Sequence, residues 1–257
     1  MSSKLPRFRR YKTNAPLVSV IIPTLNEEHF IGTLLIGLKR QTYSNFEVIV
    51  VDGGEKGPSS DATVPIAKSF GARTLIRRSG THADARNVAS SMAAGEILIF
   101  TEADTYPPPD WLTSIVRSFR ATTIAVAGPG IPLNAPRMVM LEYAIYNALR
   151  AVVSRLPRPL KHFSSSAYNV AIRRQAFEKI GGFSSLTLEN IDGLLGRRLL
   201  LLGKARFSSP AYTFISTRRW QKLGFIRTNL HYIYVLENFI NLLEPLLKPL
   251  KERWYRF

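Results

Sequence analysis

The 257-residue chain contains no cysteine. Disulfides, thiolate nucleophiles and cysteine metal sites are therefore excluded, and a reducing cytosol is no obstacle to folding. The sequence also lacks any uncharged apolar stretch of the roughly eighteen residues that would cross a bilayer. Residues 1–12 are polar and basic rather than signal-like, so the chain is expected neither to span a membrane nor to be exported. Histidine is scarce, and His29, His82, His162 and His231 show no metal-ligand spacing. Acid is scarce too: 18 Asp and Glu stand against 35 Lys and Arg, a net charge of +17. What is plentiful is apolar surface. A hydrophobic fraction of 46%, with 11% aromatic residues, is well above the disordered range and enough for an enzyme-sized core.

The charge is unevenly placed. Residues 1–128 carry 15 Lys/Arg against 11 Asp/Glu, a net of +4, whereas 129–257 carry 20 against 7, a net of +13. Such asymmetry points to a polyanionic partner: nucleic acid, an anionic lipid surface or a phosphorylated substrate. Charge alone does not choose among them.

Apolar runs Leu17–Ile22, closed by Pro23, and Phe46–Val51, closed by Asp52-Gly53-Gly54, read as buried parallel strands. Between them Phe30, Ile31, Leu34, Leu35 and Leu38 recur at helical spacing over Glu27–Gln41, with Asn26 available as N-cap. A helix over Thr63–Phe70, a strand at Arg73–Ile76, a helix over Ala83–Ala94 and a strand at Glu96–Phe100 extend this βαβ alternation. Ligands of open α/β sheets bind beyond the carboxyl ends of the strands. Pro23–Glu27, Asp52–Gly54 and Glu102–Asp104 all fall there, so three strand ends are expected to meet at one crevice.

Glu102-Ala103-Asp104-Thr105, followed by Pro107-Pro108-Pro109, is expected to hold two carboxylates at a strand end, where the prolines stop the ladder. That pair suits Mn²⁺ or Mg²⁺ bridging a diphosphate, because both ions take carboxylate and phosphate oxygens. Solvated loop acids are the alternative. Asp52 can accept from a nucleobase N–H, with glycines that admit a ligand to the backbone, and Thr24 and Leu25 can flank base or ribose. A plain Asp-Gly-Gly turn is the alternative. Arg86 can meet diphosphate charge, or pair with Asp84 or Glu96 on an exposed helix.

Taken in order, Val18–Glu27, Val50–Gly54 with Ser60-Asp61-Ala62-Thr63, Ala85-Arg86-Asn87, Ala94–Thr105, Tyr168–Arg174 and Ile180-Gly181-Gly182-Phe183 through Glu189 resemble the family 2 glycosyltransferases of GT-A fold. The resemblance covers roughly residues 16 to 220. It implies a Rossmann-like, mostly parallel sheet flanked by helices and an inverting transfer of a sugar from a nucleoside-diphosphate donor. The donor site it implies comprises Pro23, Thr24, Leu25, Glu27, Asp52, Gly53, Arg86, Glu102, Ala103 and Asp104, with Glu102 and Asp104 on the metal.

The family's metal motif usually begins with aspartate, where this chain has Glu102. Its acceptor-side Glu-Asp pair appears as Glu189-Asn190-Ile191-Asp192, and Asn190 cannot take a proton. Either Glu189 or Asp192 then serves as catalytic base, or none is needed because the acceptor is an anion such as a lipid phosphate, as in the similar polyprenyl-phosphate mannose synthases. Arg218-Arg219-Trp220 resembles the arginine-rich stretch that closes the crevice on diphosphate or acceptor.

The cationic half suits a lipid acceptor. Over Arg137–Arg158, Leu141, Ala144, Ile145, Ala148, Leu149, Val152 and Leu156 recur at helical spacing, with Arg150, Arg155, Arg158 and Lys161 near one end. The same stripe would serve a helix packed on the catalytic domain or a second subunit. Within 223–257, Leu230–Leu250 is rich in Leu, Ile, Tyr and Phe and is expected to form amphipathic helices; with Lys248, Lys251, Arg253, Trp254 and Arg256 at the end, the stretch suits an anionic headgroup layer. The expected organisation is a basic segment 1–15, a glycosyltransferase domain 16–222 with nucleotide (16–128) and acceptor (129–222) halves, and an amphipathic extension 223–257. The expected setting is peripheral, at the cytoplasmic face of the membrane, with GDP-mannose as donor and a UDP-sugar as the alternative. Nucleic-acid binding is the competing class for so basic a chain, and is not expected. A nucleotidyltransferase would show a Gly/Arg-rich loop that Pro23–Glu27 does not offer.

Overall fold

The computed structural model describes residues 15–157, 161, 163–184 and 191–218. By its internal contacts the chain divides into two units, Met1–Ser216 and Thr217–Phe257. The N-terminal basic segment up to residue 14, and the extension at 223–257 with its expected helices, lie outside the described residues.

The first unit begins with β1 (Val18–Thr24), α1 (Glu28–Lys39), β2 (Phe46–Asp52), α2 (Thr63–Ser69), β3 (Arg73–Ile76), α3 (His82–Met92) and β4 (Ile97–Phe100). It continues with β5 (Thr105–Tyr106), α4 (Trp111–Ser118), β6 (Thr123–Ala127), β7 (Gly130–Pro132) and α5 (Arg137–Val153). After these come β8 (Val170–Arg173), α6 (Arg174–Lys179), α7 (Ile191–Leu202), β9 (Lys204–Phe207) and β10 (Thr213–Ile215).

Seven strands form the main sheet in the order β3-β2-β1-β4-β8-β6-β9. β8 alone runs against both its neighbours. The continuous apolar runs of β1 and β2 are explained by helices on both faces: every residue of the two strands is buried. Val18, Val20 and Ile22 pack on Ile31, Leu34, Leu35 and Leu38 of α1 and on Trp111 and Ile115 of α4. Ile21, Ile49 and Val51 face Ala85 and Ala89 of α3, Phe177 of α6 and Leu199 of α7. From β1 the chain winds outward through β2 and β3, and β4 lies on β1's other side, so the β1/β4 boundary is the topological switch point.

Several expectations are corrected. Asn26 is not the N-cap of α1; it adopts a left-handed backbone (φ 55°), and Glu27 takes the cap position. The first amides of that region are satisfied from across the loop instead. Glu27 N–H donates to the Thr63 hydroxyl (2.7 Å) and Glu28 N–H to the Asp61 carboxylate (3.1 Å). Burial pushes the Asp61 carboxyl up, but hydrogen bonds from the Thr63 hydroxyl and amide and the Glu28 amide outweigh it and hold its pKa below the ordinary value. Strand pairing ends directly before Pro107, but in a separate short strand and not in β4, which already ends at Phe100. That strand, β5, pairs antiparallel with β10, which pairs parallel with β7, giving a second, three-stranded sheet. The expected helix over Arg137–Arg158 ends at Val153, and Arg150, expected among headgroup cations, is 2% exposed.

Candidate active site

The acidic pair sits in a turn after β4, not on the strand. Thr101 and Thr105 hold the turn: their hydroxyls lie 2.8 Å apart, the Thr105 hydroxyl donates to Glu102 O (2.8 Å), and the Thr101 hydroxyl donates to Tyr168 O (3.0 Å). Ala103 is buried in the core at 2% exposure, which leaves Glu102 and Asp104, half-buried on either side, as the turn's polar residues. Ser216 N–H donates to Asp104 O (3.0 Å), tying the turn to the end of β10.

Glu102 is paired. Arg86 Nη2 lies 3.3 Å from its Oε1, with side-chain exposures of 6% and 39%. The alternative pairings for Arg86 are not made; Arg77 stands nearest Asp84, at 4.0 Å. Arg86 Nε is buried without a hydrogen-bond partner, and its guanidinium lies 5.4 Å from the Phe183 ring centre. Asn87 fixes that ring. Its side-chain amide accepts from Phe183 N–H (2.9 Å) and donates to Phe183 O (2.8 Å). Gly182 completes the fit, since a Cβ there would lie 2.5 Å from Asn87 Oδ1. Asn87 and Phe183 thus belong to the site's support, although neither was expected there. Their signal was only that Ala85-Arg86-Asn87 and Gly181-Gly182-Phe183 occur in one chain.

Asp52 lies beside Thr24 but under the crevice rather than open to it, at 0% exposure. Its Oδ1 accepts from the Thr24 hydroxyl (2.9 Å) and the Ser59 hydroxyl (2.6 Å), and Oδ2 accepts from Ser59 N–H (2.8 Å). In this conformation Asp52 fastens the loop that follows Gly53-Gly54. The two glycines admit close approach of the chain itself. A Cβ on Gly53 (φ 126°) would collide with Arg77 O, and one on Gly54 would lie 2.8 Å from Leu25 Cδ2. Pro23 is buried in β1, while Leu25 and Glu27 are half-buried at its end.

His82, which belongs to no motif of the sequence, opens α3 one helical turn before Arg86. The spacing i, i+4 could have flagged it. The residue keeps solvent access, yet partial burial and then the Arg86 charge hold its pKa below 6.5, against the opposing pull of Glu102 and Glu27. The unfolded chain therefore binds the proton first on acidification, and stability is lost as pH falls from about 6.5 through the lower folded value. His82→Gln is expected to flatten that part of a Tm-against-pH curve measured by differential scanning fluorimetry.

Glu189, Arg219 and Trp220 lie outside the described residues, as does the side chain of Asp192, the second residue of α7. Arg218 belongs to the second unit. Among the described residues no group of three or more His, Cys, Asp or Glu could hold a metal unaided. Glu102 and Asp104 still fit Mn²⁺ or Mg²⁺, which use one or two carboxylates and fill the rest of the shell with phosphate and water.

A carboxylate pair and a buried arginine thus stand at the switch point of a mostly parallel α/β sheet, where such sheets bind their ligands. Residues 19–181 match the family described as Glycosyl transferase family 2, and the chain belongs to that family. It is 30% identical over 188 residues to "Glycosyltransferase AglE" of Haloferax volcanii, covering 69% of this chain and 59% of that protein, so it spans less than two thirds of that relative. Among solved structures, the mannosyltransferase PcManGT from Pyrobaculum calidifontis, in complex with GDP-Man and Mn²⁺, is 26% identical with a TM-score of 0.61, over 79% of this chain and 57% of that one. Glucosyl-3-phosphoglycerate synthase from Mycobacterium tuberculosis, with Mn²⁺, UDP-Glc and phosphoglyceric acid, shares the fold at 20% identity and a TM-score of 0.58, over 87% of this chain and 80% of that one. The chain thus carries a Glycosyl transferase family 2 domain of GT-A fold.

Proposed function

We propose that the chain transfers mannose from GDP-mannose, with inversion, to a membrane lipid or lipid phosphate at the cytoplasmic face of an anionic membrane. The observation that carries the donor half is the Arg86–Glu102 pair beside Asp104 at the β1/β4 switch point. The GDP-Man and Mn²⁺ complex of the archaeal mannosyltransferase favours mannose. The net charge of +13 on residues 129–257 supports an anionic acceptor and a likeness to polyprenyl-phosphate mannose synthases.

In this reading Glu102 and Asp104 hold Mn²⁺ or Mg²⁺, which when bound offsets the charge of the departing diphosphate. Arg86 orients Glu102 from below. The acceptor oxygen attacks the anomeric carbon from the face opposite the leaving group, and the bond's electron pair leaves on the diphosphate oxygen. With a phosphate acceptor no proton has to be removed; with a hydroxyl acceptor Glu189 or Asp192 would be the base. Arg218, Arg219 and Trp220 are proposed to close on diphosphate or acceptor. A UDP-sugar donor and a glycan acceptor form the second reading, favoured by the UDP-Glc complex of the mycobacterial synthase.

Thermal-shift measurements with GDP and UDP, each with and without Mn²⁺, separate the two. Mn²⁺-dependent stabilisation by GDP, about 2.7 kcal/mol at a hundredfold excess over Kd, is the expected result. Stabilisation by UDP alone would replace mannose with the second reading, and stabilisation by neither would remove the donor site.

A further inference from the structure

Helix α5 is amphipathic in the direction opposite to what a packed helix needs. Val139, Tyr143 and Arg150 are buried against the domain, whereas Met138 (63% exposed), Leu141 (55%), Ile145 (53%), Leu149 (47%) and Val152 (56%) face solvent. With Met140, this one helix holds six of the twelve exposed large hydrophobic residues found among the described residues. Their steps of three and four place them in one stripe, about 21 Å long at 1.5 Å per residue. A soluble monomer rarely leaves so continuous an apolar face to water.

Buried polar contacts fix the rotation of the helix. Arg150 Nη2 donates to Ser164 O (3.0 Å) and Nη1 to Gly128 O (3.3 Å), and its guanidinium lies 4.8 Å from the Phe207 ring centre and 5.3 Å from that of Tyr146. Asn147 Nδ2 donates to Gly130 O (2.9 Å). Rolling α5 to hide the stripe would lift a guanidinium and an amide off these carbonyls. The apolar face therefore points outward because Arg150 and Asn147 point inward.

Charge selects the occupant. Arg137 at the start of α5 and Arg155 just beyond its end are exposed, and Glu142, the helix's one acid, is half-buried. Two stripes packed antiparallel in a symmetric dimer would set Arg137 of one copy against Arg155 of the other. Packed parallel, they would set each arginine against itself, and neither arrangement supplies an acid to compensate. An anionic bilayer satisfies both features, with acyl chains for the stripe and lipid phosphates for the arginines.

We propose that α5 is a membrane-docking face that lies in the plane of an anionic bilayer, with Met138, Leu141, Ile145, Leu149 and Val152 inserted and Arg137 and Arg155 at the headgroups. This rests on the membrane reading above and moves the contact from the terminal extension onto the catalytic unit. The consequence for the reaction is positional. α5 is tied through Gly130 to β7, β7 to β10, and the end of β10 to Asp104, so docking of α5 fixes the orientation of the acidic turn relative to the membrane.

The test uses the full chain. Flotation with phosphatidylcholine vesicles, with and without phosphatidylglycerol, compares wild type, Leu141→Ser/Ile145→Ser/Leu149→Ser, and Lys248→Gln/Lys251→Gln/Arg253→Gln/Arg256→Gln. Wild type is expected to float on anionic vesicles, and the α5 variant to lose at least about tenfold in partitioning with its Tm and nucleotide stabilisation unchanged. If only the terminal variant loses binding, the α5 proposal falls while the membrane reading stands. If wild type floats on neither vesicle, both fall, and the nucleotide stabilisation still decides the donor site. Because the chain has no cysteine, Ile145→Cys carrying an environment-sensitive fluorophore reports on the stripe alone. A blue shift on adding anionic vesicles supports docking; emission already blue without vesicles, or a dimer that the triple variant splits, would show that protein covers the stripe and overturn it.

Discussion

Asp104→Ala is expected to lower sugar transfer by about 10²- to 10³-fold, the scale set by losing one preorganised group at the departing diphosphate. The fold should survive. Asp104 is half-buried, and the hydrogen bond that its backbone carbonyl accepts from the Ser216 amide is kept by alanine. Glu102→Ala has a different signature, because it strips the partner from an Arg86 side chain only 6% exposed. That variant loses turnover and also about 1–3 kcal/mol of stability, whereas Asp104→Ala, at a half-buried site, loses chiefly turnover. Steady-state kinetics beside thermal melts of both variants check the contrast. Equal melting losses for the two would mean that Arg86 does not depend on Glu102.

Asn169→Ala is expected to destabilise the fold more than either carboxylate substitution. Asn169 is 1% exposed; its Oδ1 accepts from Trp111 Nε1 (3.0 Å) and its Nδ2 donates to Pro129 O (3.1 Å) and Ala211 O (2.8 Å). Alanine leaves the Trp111 indole N–H and Ala211 O buried without that partner, at about 1–3 kcal/mol each before relaxation, while Pro129 O keeps its bond from the Thr213 amide (3.1 Å). A total of about 3–5 kcal/mol corresponds to a Tm lowered by roughly 10 °C in a chain of this size. Pro129 and Ala211 precede β7 and β10, so the same change loosens the second sheet on which the Asp104 turn is tied. Activity is therefore expected to fall at temperatures where Asp104→Ala remains folded. A Tm within about 2 °C of wild type would contradict this.

The half of the main sheet from β1 to β4 was legible because β1 and β2 are buried on both faces and must read as unbroken apolar runs between helical stripes, whereas β6, β8 and β9 were not read as strands. The crevice was expected from the strand ends, and the strand order then placed the switch point at β1/β4. The second sheet was not legible: β5, β7 and β10 have two or three residues each, too few to show a period, and are defined only by pairing across the chain. The Asn87–Phe183 contact spans 96 positions and leaves no local trace. The α5 stripe was visible, but its direction was not. That depended on Arg150, whose charge suggested an exposed end and whose carbonyl and ring contacts bury it. Asp52 shows the same limit. Its type and place at a strand end were plain, while its occupation by Thr24 and Ser59 required a loop to fold back seven residues later.

The central claim is that Glu102 and Asp104 bind a divalent ion only together with a nucleoside diphosphate. Mn²⁺ titration followed by electron paramagnetic resonance, with and without GDP or UDP, addresses it directly. Two carboxylates alone should bind Mn²⁺ weakly, the diphosphate should tighten binding at least about tenfold, and Asp104→Ala should abolish the gain. Binding equally tight without nucleotide, or a nucleotide effect that persists in Asp104→Ala, would contradict it.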